Sequence, residues 1–136
     1  MSDDGPRFTT RRKVRFGDVD AAGMAFYPRY FEMLNEAVED WFESMGWDFA
    51  RMHLEQRAGV PMRRVEADFT AASRLGDLLD VELTPLRLGR TSLEVDAAFS
   101  CAGQPRWTAK AVLVFIDLDR GTAKPWPDDL RTKLAR

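Results

Sequence analysis

The sequence predicts an α+β fold in which an antiparallel sheet of about five strands wraps round one long helix. The spacing of apolar residues changes from a period of two to a helical period near residue 28, and returns to a period of two near residue 65. Only short turn segments separate the later strands, and short connections favour antiparallel neighbours. One long helix can bury its wide apolar side only against that sheet, because no second helix of that length is predicted.

The first strand is predicted from Phe8 to Phe16, where side chains alternate between an inner and a solvated side. The helix is predicted from Pro28 to Met45, because proline suits a first helical turn and Gly46 suits a C-terminal stop. Its apolar side is a stripe with helical spacing, formed by Tyr30, Leu34, Ala37, Trp41 and Met45.

Four further strands complete the predicted sheet. Three of them alternate apolar and polar residues: Val65–Ala71, Leu79–Thr84 and Leu93–Ser100. The fourth, Trp107–Asp117, is apolar on both faces at "AVLVFI", which is typical of a central strand. The last segment, Pro127–Arg136, is predicted to be a short exposed helix. A sheet curled round a central helix is the hot-dog architecture, and 136 residues predict a single domain that spans 1–136.

The composition excludes several classes of protein. The 20 basic and 22 acidic residues are spread along the chain, so we expect no nucleic-acid partner. No apolar run has the length of a membrane span, and "MSDDGPRF" lacks a secretory signal pattern, so we expect no membrane association and a cytoplasmic location. Cys101 is the only cysteine, which excludes an internal disulfide and a multi-cysteine zinc site.

The segment "FGDVDAAGMAFYPRYF" places Asp18 and Asp20 just before the helix. Aspartates at such a position commonly form turns or helix caps, which is the structural interpretation. A cap, however, stands directly before its helix, whereas Asp20 is separated from Pro28 by small and apolar residues. We therefore expect this backbone to approach a ligand closely, with Gly23 giving clearance and Tyr27 forming part of a wall.

A carboxylate opposite a helix N-terminus has the two parts that acyl transfer needs. The unpaired N–H groups polarise a carbonyl, while the carboxylate attacks the carbonyl carbon or activates water. A serine or cysteine mechanism lacks support, because no G-x-S-x-G motif is present. His53, the only histidine, has no patterned ligand partners, so we expect a packing or surface residue and no metal site.

The motif "FGDVDAAGMAFYPRYFEMLNEA" closely resembles the signature of the 4-hydroxybenzoyl-CoA thioesterase family of hot-dog proteins, and "GVPMRRVEADF" and "GDLLDV" extend the resemblance more loosely. The resemblance implies that Asp20 is the catalytic carboxylate and that the backbone N–H of Tyr27 binds the thioester carbonyl. It places Asp18 in a structural role, such as fixing the loop.

The resemblance also implies sites for coenzyme A, which is part of the substrate, so no separate cofactor is expected. Its phosphates would meet the turn "LGRTS", at Arg90, Thr91 and Ser92, with Lys124 as a second cation. Close relatives can have more basic residues in this turn, and this chain has one arginine there. The stretch Val60, Pro61 and Met62 resembles the lining of the acyl pocket, although a strand entry is the simpler interpretation.

The sequence therefore predicts an acyl-CoA thioesterase that acts on aryl or short acyl groups. A thioesterase for aliphatic acyl chains and a non-catalytic acyl-binding or assembly module remain as alternatives, since a fold alone does not establish activity. A hot-dog dehydratase is disfavoured, because the resembling enzymes use a histidine within a motif that His53 lacks. We expect a homodimer or homotetramer, because a five-stranded sheet leaves edge strands unpaired. We also expect the active site to be shared between subunits, because the loop that carries Asp20 has little depth of its own.

Overall fold

The structure, a computed structural model of the chain, describes residues 7–135. The N-terminal residues 1–6, part of the stretch predicted to carry no signal, and the last predicted helical residue, Arg136, lie outside the described residues. The strands are β1 (Phe8–Lys13), β2 (Ala58–Gly59), β3 (Met62–Phe69), β4 (Leu78–Leu88), β5 (Ser92–Cys101), β6 (Gln104–Val114), β7 (Ile116–Asp117) and β8 (Thr122–Ala123). The helices are α1 (Tyr27–Ser44) and α2 (Asp128–Ala135).

The main sheet has five antiparallel strands, as the sequence predicts, and the structure shows their order to be β1-β4-β5-β6-β3. The three shortest strands form a second small sheet in the order β2-β7-β8, which the sequence pattern does not predict. Two-residue strands are too short to show a periodic pattern, so only their tertiary pairing reveals them.

Helix α1 contributes its apolar side to the same core as the sheet. The predicted stripe is buried along its length, from Tyr30 at 5% exposure to Trp41 at 2%. The Tyr30 ring lies 5.1 Å from the ring of Trp107 on β6 and 5.3 Å from that of Phe69 on β3, which fixes the N-terminal half of the helix against these strands.

The predicted C-terminal helix is present as α2, but it is not simply exposed. Its two leucines, Leu130 and Leu134, are 0% and 2% exposed and belong to the core. Lys133 Nζ also donates a 2.7 Å hydrogen bond to the carbonyl of Met45, at the C-terminal end of α1. The chain therefore folds with a second packed helix besides α1, because two leucines four residues apart share one helical face.

Two strand predictions need correction. Strand β1 ends at Lys13, and Phe16 begins a short 3-10 turn in which its side chain is 83% exposed. The alternating pattern continues past the strand, but hydrogen bonding within the turn bends the backbone away from β4. The strand apolar at "AVLVFI" has a neighbour on each side, β5 and β3, as predicted of a central strand, but it ends at Val114, and the predicted residues 116–117 form the separate strand β7.

The register defines two ends of the main sheet. At the end that we call the Asp20 end, Leu78 of β4 pairs with Lys13 of β1, and Phe99 of β5 pairs with Trp107. At the opposite end, which we call the Arg90 end, the β4–β5 turn follows Leu88. Among residues 7–135, no helix is long and apolar enough to cross a membrane.

Candidate functional site

The segment before α1 folds into a closed loop that we call the Asp20 loop, residues 19–25. Val19 and Ala25 pair as an antiparallel bridge at its base. The N–H of Asp20 donates to the carbonyl of Met24 at 2.9 Å, and the N–H of Phe26 donates to the carbonyl of Asp18 at 2.8 Å. The loop therefore folds back on itself, so that the backbone of Asp20 lies next to Met24, shortly before the helix begins.

Gly23 permits the tight return of this loop. Its φ of +78° lies in the left-handed region, and its N–H donates to the carbonyl of Asp20 at 3.0 Å. A residue with a Cβ is disfavoured at that φ, because its side chain approaches the backbone. The predicted site residue Gly23 thus has a conformational role in the loop, beside its predicted contact with substrate.

The Asp20 side chain is exposed and held by one of its two carboxylate oxygens. Oδ1 accepts the N–H of Ala22 at 2.9 Å and that of Met24 at 3.3 Å, which is an Asx turn. Among the described residues, no hydrogen-bond donor reaches Oδ2. One oxygen therefore orients the carboxylate and leaves the other available to react.

The start of α1, which follows the Asp20 loop along the chain, offers a backbone donor. Tyr27 is the first helical residue, and Pro28 follows with no N–H. Within residues 7–135, the Tyr27 N–H donates to no backbone carbonyl, whereas the N–H of Arg29 already donates to Phe26. The free N–H, with the helix dipole behind it, is suited to polarising a carbonyl oxygen.

Asp18 has a different environment from Asp20 and is 8% exposed. Its Oδ2 lies 2.5 Å from Arg12 Nη1 and accepts the N–H of Arg15 at 2.8 Å. Burial by itself raises the pKa of Asp18, but the hydrogen bonds from Arg12 and Arg15 outweigh it and lower that pKa. The interaction stabilises the fold at neutral pH, and this contribution is lost as the pH falls through the lowered pKa.

Arg12 is a residue whose structural role the sequence analysis missed. It donates to Asp18 and, at 2.8 Å, to Glu36 on α1, so it joins β1, the 3-10 turn that precedes the Asp20 loop, and the helix. These two carboxylates raise the pKa of the Arg12 guanidinium. The available signal was an arginine on the same side of the first strand as Phe8 and Val14, because a charge on an inner face requires partners.

The residues predicted for phosphate binding lie together at the Arg90 end. Arg90 is exposed in the β4–β5 turn, and its carbonyl accepts the N–H of Trp126 at 3.2 Å. The carbonyl of the next residue, Thr91, accepts the N–H of Phe115, whose own carbonyl accepts the N–H of Lys124. Lys124 Nζ lies 5.5 Å from the centre of the Phe115 ring, so the two predicted cations share one edge of the fold.

The other two residues of this turn have separate surroundings. Thr91 and Ser92 are both half-buried. The Ser92 hydroxyl lies against Gly89, where an added Cβ would come within 2.6 Å of it. The carbonyl of Ser92 accepts the indole N–H of Trp126 at 3.1 Å. A side chain at position 89 would therefore require the Ser92 hydroxyl to move, and the backbone of this turn is held from the C-terminal side.

The predicted acyl-pocket stretch also lies at the Arg90 end. Met62 pairs with Leu113 of β6, which pairs in turn with Leu93. Val60 is buried at 8% exposure in the core, whereas Pro61 is exposed and its carbonyl accepts the N–H of Val114 at 3.1 Å.

The structure does not bring all predicted site residues together in one chain. Asp20, Gly23 and Tyr27 share the Asp20 end, whereas the pocket and phosphate residues share the Arg90 end. Strand β4 has 11 residues and runs between the two ends, which separates them by roughly 33 Å at ~3.3 Å per residue.

Other candidate groups lie away from the Asp20 loop. His53 Nδ1 is 2.9 Å from the carbonyl of Phe49, and its ring packs 4.9 Å from the Phe49 ring, as expected of a packing residue. Among residues 7–135, no group of three or more His, Cys, Asp or Glu side chains is placed to hold a metal ion. A depression of about 400 Å³ on the outer sheet face is lined by Glu66, Asp68 and Asp96 with Lys110, which disfavours phosphate there.

Comparison with known proteins identifies relatives along nearly the whole chain. Residues 14–134 match the model of the thioesterase-like superfamily. A 1,4-dihydroxy-2-naphthoyl-CoA hydrolase of Synechococcus elongatus is 30% identical over 123 residues, which cover 89% of this chain and 90% of the relative. A protein of the same name from Prochlorococcus marinus is 35% identical over 101 residues, covering 69% and 67%.

A solved structure agrees with these relatives. The 1,4-dihydroxy-2-naphthoyl-CoA thioesterase from Synechocystis superposes with a TM-score of 0.85 and 27% identity, covering 94% of this chain and 95% of that one. The predicted hot-dog fold and the predicted class, a hydrolase of CoA thioesters, are therefore confirmed. The sequence resembled 4-hydroxybenzoyl-CoA thioesterases in particular, whereas these relatives are named for 1,4-dihydroxy-2-naphthoyl-CoA. On its sequence, from residue 14 to residue 134, and on its fold, the chain belongs to the thioesterase-like superfamily.

Proposed function

We propose that this protein hydrolyses the thioester of an aryl-CoA, with Asp20 as the reacting carboxylate and the Tyr27 N–H as the donor to the carbonyl oxygen. One observation carries the proposal: two backbone N–H groups hold Asp20 Oδ1, and Oδ2 stays available in the loop that leads into α1. A carboxylate held in this way has a fixed direction, which lowers the entropic cost of reaching the transition state.

Two courses of reaction fit this geometry. In one, Oδ2 attacks the thioester carbon, the C–S bond breaks, coenzyme A leaves as a thiolate, and water then hydrolyses the mixed anhydride. In the other, Oδ2 removes a proton from water, which attacks the same carbon directly; the C–S bond then breaks, and the departing thiolate takes up that proton to give coenzyme A and the free acid. In both courses negative charge develops on the carbonyl oxygen, where the Tyr27 N–H and the helix dipole stabilise it. The reaction needs no cofactor beyond the coenzyme A of the substrate.

The names of the relatives support an aromatic acyl group. Two of the relatives described above are named hydrolases of 1,4-dihydroxy-2-naphthoyl-CoA, a bicyclic aryl thioester. In this chain, Phe26 and Tyr27 are 49% and 63% exposed, with ring centres 5.8 Å apart, at the entrance to α1. Exposed aromatic rings at this place can stack on an aryl group. A hydroxylated aryl-CoA is therefore the substrate class that we propose.

We further propose that two chains form each active site, within a homodimer or a homotetramer. Strand β3 is an edge of the main sheet, and its inner-face residues Val65 and Phe69 are 38% and 47% exposed. Antiparallel pairing of two β3 strands across a two-fold axis would place Met62 of each chain beside Phe69 of the other. The Arg90 end of one chain would then approach the Asp20 end of its partner. The two groups of predicted site residues, which are far apart in one chain, would meet across the interface.

A hydrolysis screen tests the proposed substrate class. The purified protein is assayed against hydroxynaphthoyl-CoA, hydroxybenzoyl-CoA, a short-chain acyl-CoA and a long-chain acyl-CoA, with released thiol as the readout. We expect the highest kcat/KM for the hydroxyaryl thioesters. A higher value for a long-chain ester would favour an aliphatic thioesterase. Folded protein that hydrolyses none of the four would favour a non-catalytic acyl-binding module.

Replacing Arg90 with alanine tests the phosphate site. The variant should raise KM for CoA esters about tenfold with little change in kcat, because the lost charge contacts a part of the substrate that does not react. A truncated thioester without the nucleotide should be hydrolysed equally by variant and parent. Arg11→Ala is the matched control, since Arg11 is an exposed arginine on β1 that pairs with Asp80. An unchanged KM in Arg90→Ala would exclude the role.

A further inference from the structure

The hydroxyl group of Tyr30 lies in a buried contact that ring packing does not require. Tyr30 is 5% exposed, and its ring packs against Trp107 and Phe69, which a phenylalanine would do equally well. The hydroxyl oxygen accepts a hydrogen bond from the N–H of Ser73 at 3.2 Å. Ser73 is 0% exposed, so no water can replace this acceptor unless the backbone moves.

The backbone of Ser73 continues from this contact to the Asp20 loop. Its carbonyl accepts the N–H of Ala25 at 2.8 Å, and two residues further on the N–H of Leu75 donates to the carbonyl of Gly23 at 3.0 Å. Met24 and Arg74 form a bridge between these two contacts. Residues 73–75 therefore lie antiparallel to residues 23–25 and hold the part of the Asp20 loop that leads directly to Tyr27.

A partly buried ion pair holds the other side of residues 73–75. Asp77 Oδ2 accepts the N–H of Arg74 at 2.8 Å and a hydrogen bond from Arg106 Nη1 at 2.6 Å. The same guanidinium nitrogen donates to the carbonyl of Ala72 at 3.0 Å. The side chains of Arg106 and Asp77 are only 11% and 24% exposed, so solvent screens this pair weakly. Residues 73–75 are thus fixed from α1 on one side and from β6 on the other.

We propose that Tyr30 is a positioning residue, whose hydroxyl group fixes the Tyr27 N–H through Ser73 and Ala25. Tyr30 lies three residues after Tyr27 on the same helix, and the chain of contacts leaves the helix at Tyr30 and returns at Ala25, two residues before Tyr27. This closed path sets the direction from which the backbone enters α1. The inference rests on the proposed role of the Tyr27 N–H, and it adds the side chain that orients this donor.

The path predicts a particular kinetic effect. Replacing Tyr30 with phenylalanine retains the ring packing and removes the acceptor of the Ser73 N–H. The backbone of residues 73–75 must then shift, and Ala25 and the Tyr27 N–H shift with it. A misdirected donor weakens stabilisation of the oxyanion more than it weakens binding of the substrate, so kcat should fall about tenfold while KM stays within about twofold.

The experiment compares four variants by kcat, KM and thermal unfolding. Tyr30→Phe and Asp77→Ala act at opposite ends of the same path, and each should lower kcat with KM nearly unchanged. Their double variant should lower kcat by less than the product of the two single effects, because both act through residues 73–75. Val38→Ala is the control for lost stability: it creates a cavity on the same helix, at a site 2% exposed, and should leave kcat unchanged.

Each result supports or overturns the proposal. An unchanged kcat in folded Tyr30→Phe, a rise in KM alone, or an equal loss of kcat in Val38→Ala would overturn it, as would fully multiplicative effects in the double variant. If Tyr30→Phe does not fold, Asp77→Ala decides by the same kcat criterion. Asp20→Asn, assayed in parallel, separates the two proposals. Full activity in Asp20→Asn would reject only the proposed role of Asp20, whereas an unchanged kcat in Tyr30→Phe would reject only the positioning role of Tyr30.

Discussion

Asp20→Asn is expected to lower kcat by ~10²-fold or more while the protein stays folded. The asparagine side-chain oxygen can still accept the N–H groups of Ala22 and Met24, so the Asx turn of the Asp20 loop should persist. The variant removes the charge and the basicity of the atom that would attack the thioester or activate water. The measurement is kcat on the best aryl-CoA of the screen, with circular dichroism and thermal unfolding as tests of the fold.

Two other aspartates are useful comparisons for this variant. Asp80→Asn alters an exposed carboxylate on the outer side of β4, whose partner is Arg11, and should keep the parental kcat. Asp18→Asn should mainly lower the unfolding temperature, because Asp18 is buried against Arg12. Parental hydrolysis by Asp20→Asn would reject the assignment of Asp20. If Asp20→Asn lowered the unfolding temperature as much as Asp18→Asn does, a structural role of Asp20 would be indicated instead.

Mixing two inactive or weakened variants is expected to restore activity. In a dimer whose sites are shared, a chain with Asp20→Asn still supplies a normal Arg90 end, and a chain with Arg90→Ala still supplies a normal Asp20. One of the two sites in the mixed dimer then contains only parental residues. At substrate concentrations well below the parental KM, the mixture should exceed the sum of the separate variants by severalfold, since both defects lower kcat/KM.

This experiment depends on exchange of subunits, which must be measured separately. Chains that carry two different affinity tags are mixed and purified through both tags, which isolates the mixed dimers. Light scattering then gives the molar mass of this fraction before the assay. Activity equal to the sum of the separate variants, despite proven mixed dimers, would place each site within one chain. A monomeric mass at assay concentration with full activity would exclude the dimer itself, and would leave the roughly 33 Å between the two ends of the sheet to be explained otherwise.

The sequence alone predicted the class of fold and singled out the motif around Asp20 as the candidate site. The helical spacing from Pro28 to Met45 became α1 within one residue at each end, because its wide apolar stripe has one period over five turns. Alternation along the chain gave the five antiparallel strands for the same reason. The motif around Asp20 was apparent because its small residues and proline are unusual between a strand and a helix, and the loop and helix start in the structure bring its members together.

Contacts between distant segments could not be predicted in this way. The sequence showed that Asp18 and Asp20 stand two residues apart, but only the tertiary structure separates them into a buried ion pair with Arg12 and an exposed carboxylate with one available oxygen. The hydrogen bond between Tyr30 and Ser73 spans 43 residues and leaves no periodic signal. The same holds for the small sheet of β2, β7 and β8.

The relation between the predicted binding residues was also decided by tertiary structure. The resemblance grouped Asp20 with Arg90 and Met62 in one site, whereas the strand register places Asp20 at one end of the sheet and the other two at the opposite end. A motif shows which residue types occur together along the chain, and the spacing of apolar residues shows which residues share one face of a helix or strand. The distance between two motifs depends on strand length and pairing order, which arise only when the whole core is packed.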